Sequence, residues 1–173
     1  AELYTLSQSH ALTSCRQQLL RMLMQVATSP DVCNKLYLLW HEASHPLLNV
    51  NDYMTLSYEL SLRFPERYDT IATTQRERIT DEDRRRKFDF IIRSVNPSVE
   101  AQERLFEELL EPENRRIEPW TATVISYLSH PLRDRESAKY IYVGLSELRE
   151  VQRTGDIFFP RNWVGALLEN HRT

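Results

Sequence analysis

Apolar side chains recur at steps of three and four residues along almost the whole chain, and this spacing limits the fold more than any other feature. A step of three or four places apolar residues on one face of an α-helix, whereas a half-buried strand needs strict alternation. No segment of the chain shows a convincing alternation of apolar and polar residues. The spacing predicts about nine helices, near residues 11–28, 30–43, 51–63, 65–79, 81–94, 97–110, 118–129, 133–153 and 160–170.

Glycine is scarce, which supports an all-α fold class. The chain has 3 glycines in 173 residues, where average usage of about 7% would supply about a dozen. β-Sandwiches and β-barrels, which are rich in tight turns, need more glycine than this. Short connections predict antiparallel helix hairpins, and two apolar faces on single helices suit stacked layers. We therefore expect an α-solenoid of HEAT or armadillo type, with residues 1–173 forming one helical-repeat domain.

Charge and hydropathy bear on the kind of partner. The 22 Lys and Arg against 25 Asp and Glu give a net charge of −3, so nothing points to nucleic acid. The longest apolar run, 36–40, is far shorter than the ~20 residues of a membrane span. Cys15 and Cys33 lie among apolar neighbours, and we expect both to be buried thiols. The two cysteines therefore do not indicate the redox compartment of the protein.

A basic run, Arg84-Arg85-Arg86-Lys87, follows the acids Asp81-Glu82-Asp83. Each acid precedes a base by four residues, which is the spacing of ion pairs along one helix face. We expect a solvated, salt-bridged surface. The alternative is a surface that meets acidic groups of a partner or a substrate carboxylate.

The tetrapeptide Ser44-His45-Pro46-Leu47 recurs as Ser129-His130-Pro131-Leu132, each time after a predicted helix. Proline disfavours helical geometry at the residue before it. Both copies therefore predict a helix end.

His41-Glu42-Ala43-Ser44-His45 matches the H-E-x-x-H pattern of zinc peptidases. In that pattern two histidines one helical turn apart bind Zn²⁺ and the glutamate activates a water. Here Pro46 takes His45 out of helical geometry. In the glutamate-zincin arrangement the third ligand lies nineteen residues after the second histidine, and that position is Phe64. We interpret the match as coincidence and expect no catalytic residue, no metal ligand and no cofactor site in this chain. A freestanding zinc peptidase built on His41, Glu42 and His45 is the less favoured alternative.

The most distinctive segment runs from Thr154 to Trp163, with Gly155 placed to follow a helix and Pro160 placed to begin the next. Core packing at a helix corner is one interpretation, and an aromatic patch for a neighbouring domain is the other. The candidate corner residues are Asp156, Phe158, Phe159, Arg161 and Trp163.

This corner, together with residues 36–40 and 128–133, resembles the C-terminal helical domain of zinc aminopeptidases of the aminopeptidase N type, most closely bacterial members. The resemblance implies an all-helical superhelix that closes over the catalytic cleft and gates or helps to bind peptide substrates. It implies that zinc belongs to the catalytic domain of the same polypeptide, in a cytoplasmic, periplasmic or cell-envelope enzyme. No catalytic residue of that family maps onto this chain.

The beginning at Ala1, without an initiator Met, and the ending soon after a helix led us to expect a fragment of a larger multidomain protein. A freestanding helical-repeat scaffold that binds a protein partner is the alternative to the aminopeptidase domain.

Overall fold

The computed structural model describes the backbone of residues 2–171 and the side chains of 12–133 and 137–171. Within this range the chain is all-α and contains no strand, as predicted. Its ten helices are α1 (Glu2–Val26), α2 (Pro30–Glu42), α3 (Val50–Arg63), α4 (Tyr68–Arg78), α5 (Glu82–Ile92), α6 (Val99–Leu110), α7 (Glu118–Leu128), α8 (Asp134–Ser146), α9 (Leu148–Thr154) and α10 (Phe159–Leu168). The solenoid arrangement remains a prediction.

The prediction of one helix over 133–153 was wrong, because the chain divides there into α8 and α9 at Glu147. The indole Nε1 of Trp163 donates a hydrogen bond to the Gly144 carbonyl at 2.8 Å. In a continuous helix that carbonyl would accept from the amide four residues later. A contact with a residue far along the chain thus coincides with the break.

Four short 3₁₀ turns connect or extend the helices, at Pro65–Arg67, Arg93–Val95, Pro112–Arg115 and Pro131–Arg133. Three of them begin with proline, whose missing N–H and fixed φ suit the first position of a helical turn. The helix predicted over 65–79 therefore begins as a 3₁₀ turn. None of the helices described between residues 2 and 171 combines the length and apolar character needed to cross a bilayer.

The chain divides into two compact units, Ala1–Ile79 and Thr80–Thr173. In the first unit, α3 packs against α1, α2 and α4. The buried core side chains are Met24, Ala27, Cys33, Leu36, Trp40, Tyr53, Leu56, Leu60 and Ile71. The Trp40 indole donates to Gln75 Oε1 at 2.8 Å, which satisfies its only polar group inside the core.

Arg63 fixes the C-terminal end of α1 in this unit. Its Nε donates to the Ala27 carbonyl at 2.6 Å and one terminal nitrogen to the Gln25 carbonyl at 2.7 Å. The other terminal nitrogen binds the Glu59 carboxylate at 2.6 Å, and both charged side chains are buried. The last carbonyls of a helix have no amide partner within the helix. Here the Arg63 guanidinium provides the hydrogen-bond donors for them.

The two cysteines differ. Cys33 is buried in the first unit, as predicted, whereas Cys15 is exposed, so that prediction was wrong. Helix α1 has apolar residues on more than one face, and the face that packs inward carries Met24, with Ala27 buried directly after the helix. Periodicity shows that a face is apolar but not which of two faces is packed.

In the second unit, α7 packs against α5, α6 and α10, and α10 also contacts α8 and α9. Its fully buried aromatic side chains include Phe88, Phe159 and Trp163. The rings of Phe159 and Trp163 meet edge to face, with centroids 6.0 Å apart. Trp163 is therefore a core residue, the first of the two interpretations open for it.

We predict that Trp163→Ala lowers the free energy of unfolding by about 3–5 kcal/mol, as the loss of a buried aromatic side chain does. Removal of the indole also takes away the hydrogen bond that its Nε1 donates to the Gly144 carbonyl. Urea denaturation followed by circular dichroism measures this. Trp163→Phe, which keeps the ring but loses the N–H, should cost less. A loss below about 1 kcal/mol for the alanine variant would contradict the buried position.

We predict that Arg63→Met lowers the free energy of unfolding by about 3–5 kcal/mol, because it removes one member of the buried Arg63–Glu59 ion pair. The double variant Glu59→Gln/Arg63→Met should lose less, since the buried charge is then absent. Arg86→Met removes an exposed ion pair with Asp83 and should change stability by less than about 1 kcal/mol. Equal losses for Arg63→Met and Arg86→Met would show that burial of the pair is unimportant.

Candidate functional site

Helix α2 ends inside the H-E-x-x-H match. Its last residue is Glu42, and Ala43 adopts a left-handed conformation with φ of 50°. His41 therefore lies in the last turn of α2, and His45 lies beyond the helix. The H-E-x-x-H pattern places both imidazoles on one continuous helix. The backbone of residues 41–45 is not a continuous helix.

His45 takes part in the turn that follows. Its backbone N–H donates to the Tyr53 hydroxyl at 2.9 Å, and its Nδ1 accepts the Leu47 N–H at 3.3 Å. The third-ligand position is occupied by Phe64, whose ring packs edge to face against Tyr37 at 5.8 Å. Among the described residues, no group of three or more His, Cys, Asp or Glu is arranged to hold a metal. The interpretation of the match as coincidence stays a prediction.

The second Ser-His-Pro-Leu copy forms the same turn. Helix α7 ends at Leu128, and Nδ1 of His130 accepts the Leu132 N–H at 3.2 Å. The predicted helix ends are thus confirmed in both copies. In each copy, the histidine Nδ1 accepts a hydrogen bond from the backbone N–H two residues later, so the histidine side chain helps to stabilise the turn.

The basic run lies on a mostly exposed face of α5, with Arg84, Arg86 and Lys87 in solvent. Arg86 pairs with Asp83, three residues earlier. Asp81 caps the helix by accepting the Arg84 N–H at 2.8 Å. An exposed, partly salt-bridged face is what the acid-first pattern predicted, although Arg86 uses Asp83 at a spacing of three.

The candidate site that remains is the corner between α9 and α10. Asp156 organises it, since one carboxylate oxygen accepts the N–H of Phe158 at 2.7 Å and of Phe159 at 2.8 Å. The Asp156 N–H donates to the Glu118 carboxylate of α7 at 2.8 Å. The N-cap position of α10 is Phe158, which provides no side-chain cap. Asp156, two residues earlier, instead satisfies the amides at the start of α10, much as a capping side chain does.

The five candidate residues of the corner separate into two groups. Phe159 and Trp163 point into the core, while Asp156, Phe158 and Arg161 are exposed. Ile157 is 88% exposed and Phe158 is 66% exposed. The corner therefore has an aromatic pair inside the core and, beside it, an apolar pair in solvent, which we call the outer pair (Ile157 and Phe158). The interpretation of the corner as a patch for a neighbouring domain stays a prediction.

Gly155 is required at the corner for space. It follows α9 directly, as predicted, and its backbone is extended, with φ of −98° and ψ of 177°. A Cβ at this position would lie 2.5 Å from Cδ1 of Phe159 and 3.0 Å from the Val151 carbonyl oxygen. A side chain here would displace Phe159 or the end of α9.

Arg115 supports the corner from inside. Its guanidinium donates to the carbonyls of Leu109 and Leu110, at 3.1 and 2.6 Å, and to the Thr154 hydroxyl at 3.2 Å. It also lies 5.7 Å from the Trp163 ring centroid. Burial lowers the pKa of Arg115, and nearby carboxylates of Glu147, Glu150 and Glu111 oppose that shift. The side chain connects the end of α6 to the end of α9.

Two residues that organise the corner were missed by sequence reasoning, Glu118 and Arg115. Both form hydrogen bonds with residues far along the chain. Glu118 and Asp156 are 38 residues apart, and Arg115 and Thr154 are 39 residues apart. No local pattern marks such partners. Ile157 was part of the noted segment, but its exposure was not predicted.

Comparisons of the chain with protein-family profiles, with curated proteins and with solved structures found no match.

We predict that Asp156→Ala lowers the free energy of unfolding by about 1 kcal/mol, the usual cost of losing a helix cap. Two amide groups lose their acceptor in this variant. Thermal denaturation measures the loss, and hydrogen exchange at Phe158 and Phe159 should become faster. Asp156→Asn keeps an acceptor oxygen and is the matched control. Unchanged exchange in the alanine variant would contradict the capping role.

Proposed function

We propose that this chain is a non-catalytic helical domain that acts by contacting another protein surface through the corner between α9 and α10. The observation that carries the proposal is the outer pair, in which Ile157 and Phe158 are 88% and 66% exposed. They lie next to an aspartate cap and a buried aromatic pair.

The environment of the outer pair fits a docking contact. Arg161 and Asn162 are exposed in the first turn of α10, and Arg153 is exposed near the end of α9. An apolar centre with a polar rim is the usual anatomy of a protein interface. Because Asp156 already holds the turn, little conformational entropy would be lost when the pair is covered.

The specific form of the proposal rests on the resemblance to aminopeptidase N-type enzymes. In this form the partner is the catalytic domain of the same polypeptide, and the helical domain covers the active-site cleft and gates peptide substrates. Zinc and the catalytic residues belong to that catalytic domain. The contribution of this chain would be to exclude water and select substrates by size.

A freestanding scaffold that binds a separate protein is the second candidate function. The same outer pair favours it, since an exposed apolar pair suits a contact between two polypeptides equally well. The two candidates differ in the size of the native polypeptide.

We predict that an antibody raised against this chain detects a native polypeptide several times larger than the chain's 20.5 kDa. The captured polypeptide should contain stoichiometric zinc and hydrolyse aminoacyl arylamides, whereas the 173-residue chain alone should do neither. A single band near 20.5 kDa, with no larger precursor, would remove the aminopeptidase proposal and leave the scaffold. Zinc in the isolated chain that is lost on His41→Ala would revive the zinc-peptidase alternative.

In the larger polypeptide, the double variant Ile157→Asp/Phe158→Asp tests the docking role. We expect kcat/KM for peptides to change by about ten-fold or more, because loss of an interdomain contact alters closure. Tyr142→Asp is the matched control, since Tyr142 is an exposed aromatic residue of the same unit. Equal effects of the two changes would contradict a specific role for the corner.

A further inference from the structure

Arg67 lies on two aromatic rings at the joint between α3 and α4. Its guanidinium carbon is 4.7 Å from the ring centroid of Tyr37, in α2, and 5.1 Å from that of Phe64. The two rings meet edge to face, with their centroids 5.8 Å apart. We call Tyr37, Phe64 and Arg67 the arginine platform. Contact with two rings restricts the orientation of the planar guanidinium.

The local backbone and the core hold the arginine platform in place. Pro65 begins the 3₁₀ turn that ends at Arg67, and the Arg67 N–H donates to the Phe64 carbonyl at 2.9 Å. Tyr37 and Phe64 are partly buried against the core of the first unit. A ligand would therefore meet a preformed surface, which lowers the entropic cost of binding.

The side-chain N–H groups of Arg67 are not used inside the described part of the protein. Arg63 and Arg78 of the same unit donate theirs to helix-end carbonyls. Arg67 has instead one contact, with the Glu66 carboxylate 3.5 Å from its Nε, and no side-chain hydrogen bond to a described residue. Its side chain is 43% exposed and that of Glu66 64% exposed, and an exposed ion pair contributes little. The terminal nitrogens are therefore available to a ligand.

A second cation lies next to the arginine platform. The Arg78 guanidinium is 4.8 Å from the Trp40 ring centroid, and the Trp40 ring is 5.6 Å from that of Tyr37. Arg78 binds two backbone carbonyls, and no described carboxylate pairs with it. Two guanidinium groups thus lie on one connected set of rings, with Glu66 as the single described acid paired to either. This excess of positive charge favours an anion.

The shape of the free guanidinium indicates which anion. Its planar fork matches a carboxylate, which it can bind through two parallel hydrogen bonds. We propose that the arginine platform binds a side-chain carboxylate of an acidic peptide segment. The open position of Arg67 suits a segment that continues over the surface in both directions. This inference rests on the first unit and is independent of the proposed function of the corner.

Titration of the 173-residue chain with a capped tetraglutamate peptide, followed by NMR, tests the proposal. We expect a dissociation constant on the order of 1 mM at low salt, weaker binding as salt is added, and shifts of the Tyr37 and Phe64 ring signals. A capped tetraglutamine peptide should bind about ten-fold more weakly or less. Glu66→Gln should strengthen binding about two-fold, because a like charge beside the site is removed.

Variants of the chain separate the platform from general surface charge. Arg67→Gln should weaken binding of the tetraglutamate peptide about ten-fold, and Arg67→Lys nearly as much, because it keeps the charge but loses the fork. Tyr37→Leu, checked for folding by circular dichroism, should weaken binding about three-fold, since the ring no longer orients the guanidinium. Arg16→Gln is the matched control, because Arg16 is exposed in the same unit and lies outside the platform. It should leave binding within about two-fold.

Three outcomes would overturn the proposal. One is equal binding of the two capped peptides. Another is equal weakening by Arg67→Gln and Arg16→Gln, or wild-type binding in Arg67→Lys, since either would show attraction to general positive charge. The third is a tetraglutamine peptide with a free C-terminal carboxylate that binds as tightly as capped tetraglutamate, because the platform would then bind chain ends.

Discussion

Guanidinium groups that bind the ends of distant helices are the interaction on which the rest of the structure depends. Arg63 binds carbonyls at the end of α1, Arg78 those of Trp40 and His41 at the end of α2, and Arg133 those of Ser94 and Asn96 after α5. Helices often end in a left-handed glycine that satisfies these carbonyls locally. With 3 glycines in the chain, and Ala43 the only non-glycine residue of positive φ in the described part, arginine performs this task. The ends of α1, α2 and α5 thereby become tertiary contacts.

These contacts share a sequence separation, which connects local structure to packing. Arg63, Arg78 and Arg133 reach carbonyls 36 to 39 residues earlier. A helix hairpin with its turns has about this length in HEAT and related repeats. Within the first unit α3 packs on α1, and within the second α7 packs on α5, so alternate helices are neighbours in each unit. Both facts support the predicted repeat, although the solenoid itself remains a prediction.

How much of this could be predicted follows from the range of the interactions involved. Apolar periodicity and proline positions act over one or two turns, and they predicted the all-α class, the end of α2 at the first Ser-His-Pro-Leu copy and the end of α7 at the second. The break at Glu147 could not be predicted, because it coincides with the Trp163 indole bond to Gly144. Nor could the exposure of Cys15, since α1 has two apolar faces and the pattern does not rank them. At the corner, the sequence left core packing and an exposed patch open, and only the fold separates the buried Phe159 and Trp163 from the exposed Phe158. Glu118 and Arg115 gave no local signal.

The zinc-like pattern at His41–His45 lies on a backbone that differs from that of the zinc-peptidase pattern. In the H-E-x-x-H pattern of zinc peptidases the two histidines lie on one continuous helix, whereas Ala43 ends α2 between His41 and His45. The second copy is an internal comparison: His130 is preceded by no H-E pair, yet its Nδ1 accepts the amide of Leu132 as that of His45 accepts the amide of Leu47. The role shared by both copies is the turn. His45 differs from His130 in the His41-Glu42 before it and in its N–H bond to the Tyr53 hydroxyl. The Trp40 and His41 carbonyls at the end of α2 accept hydrogen bonds from Arg78.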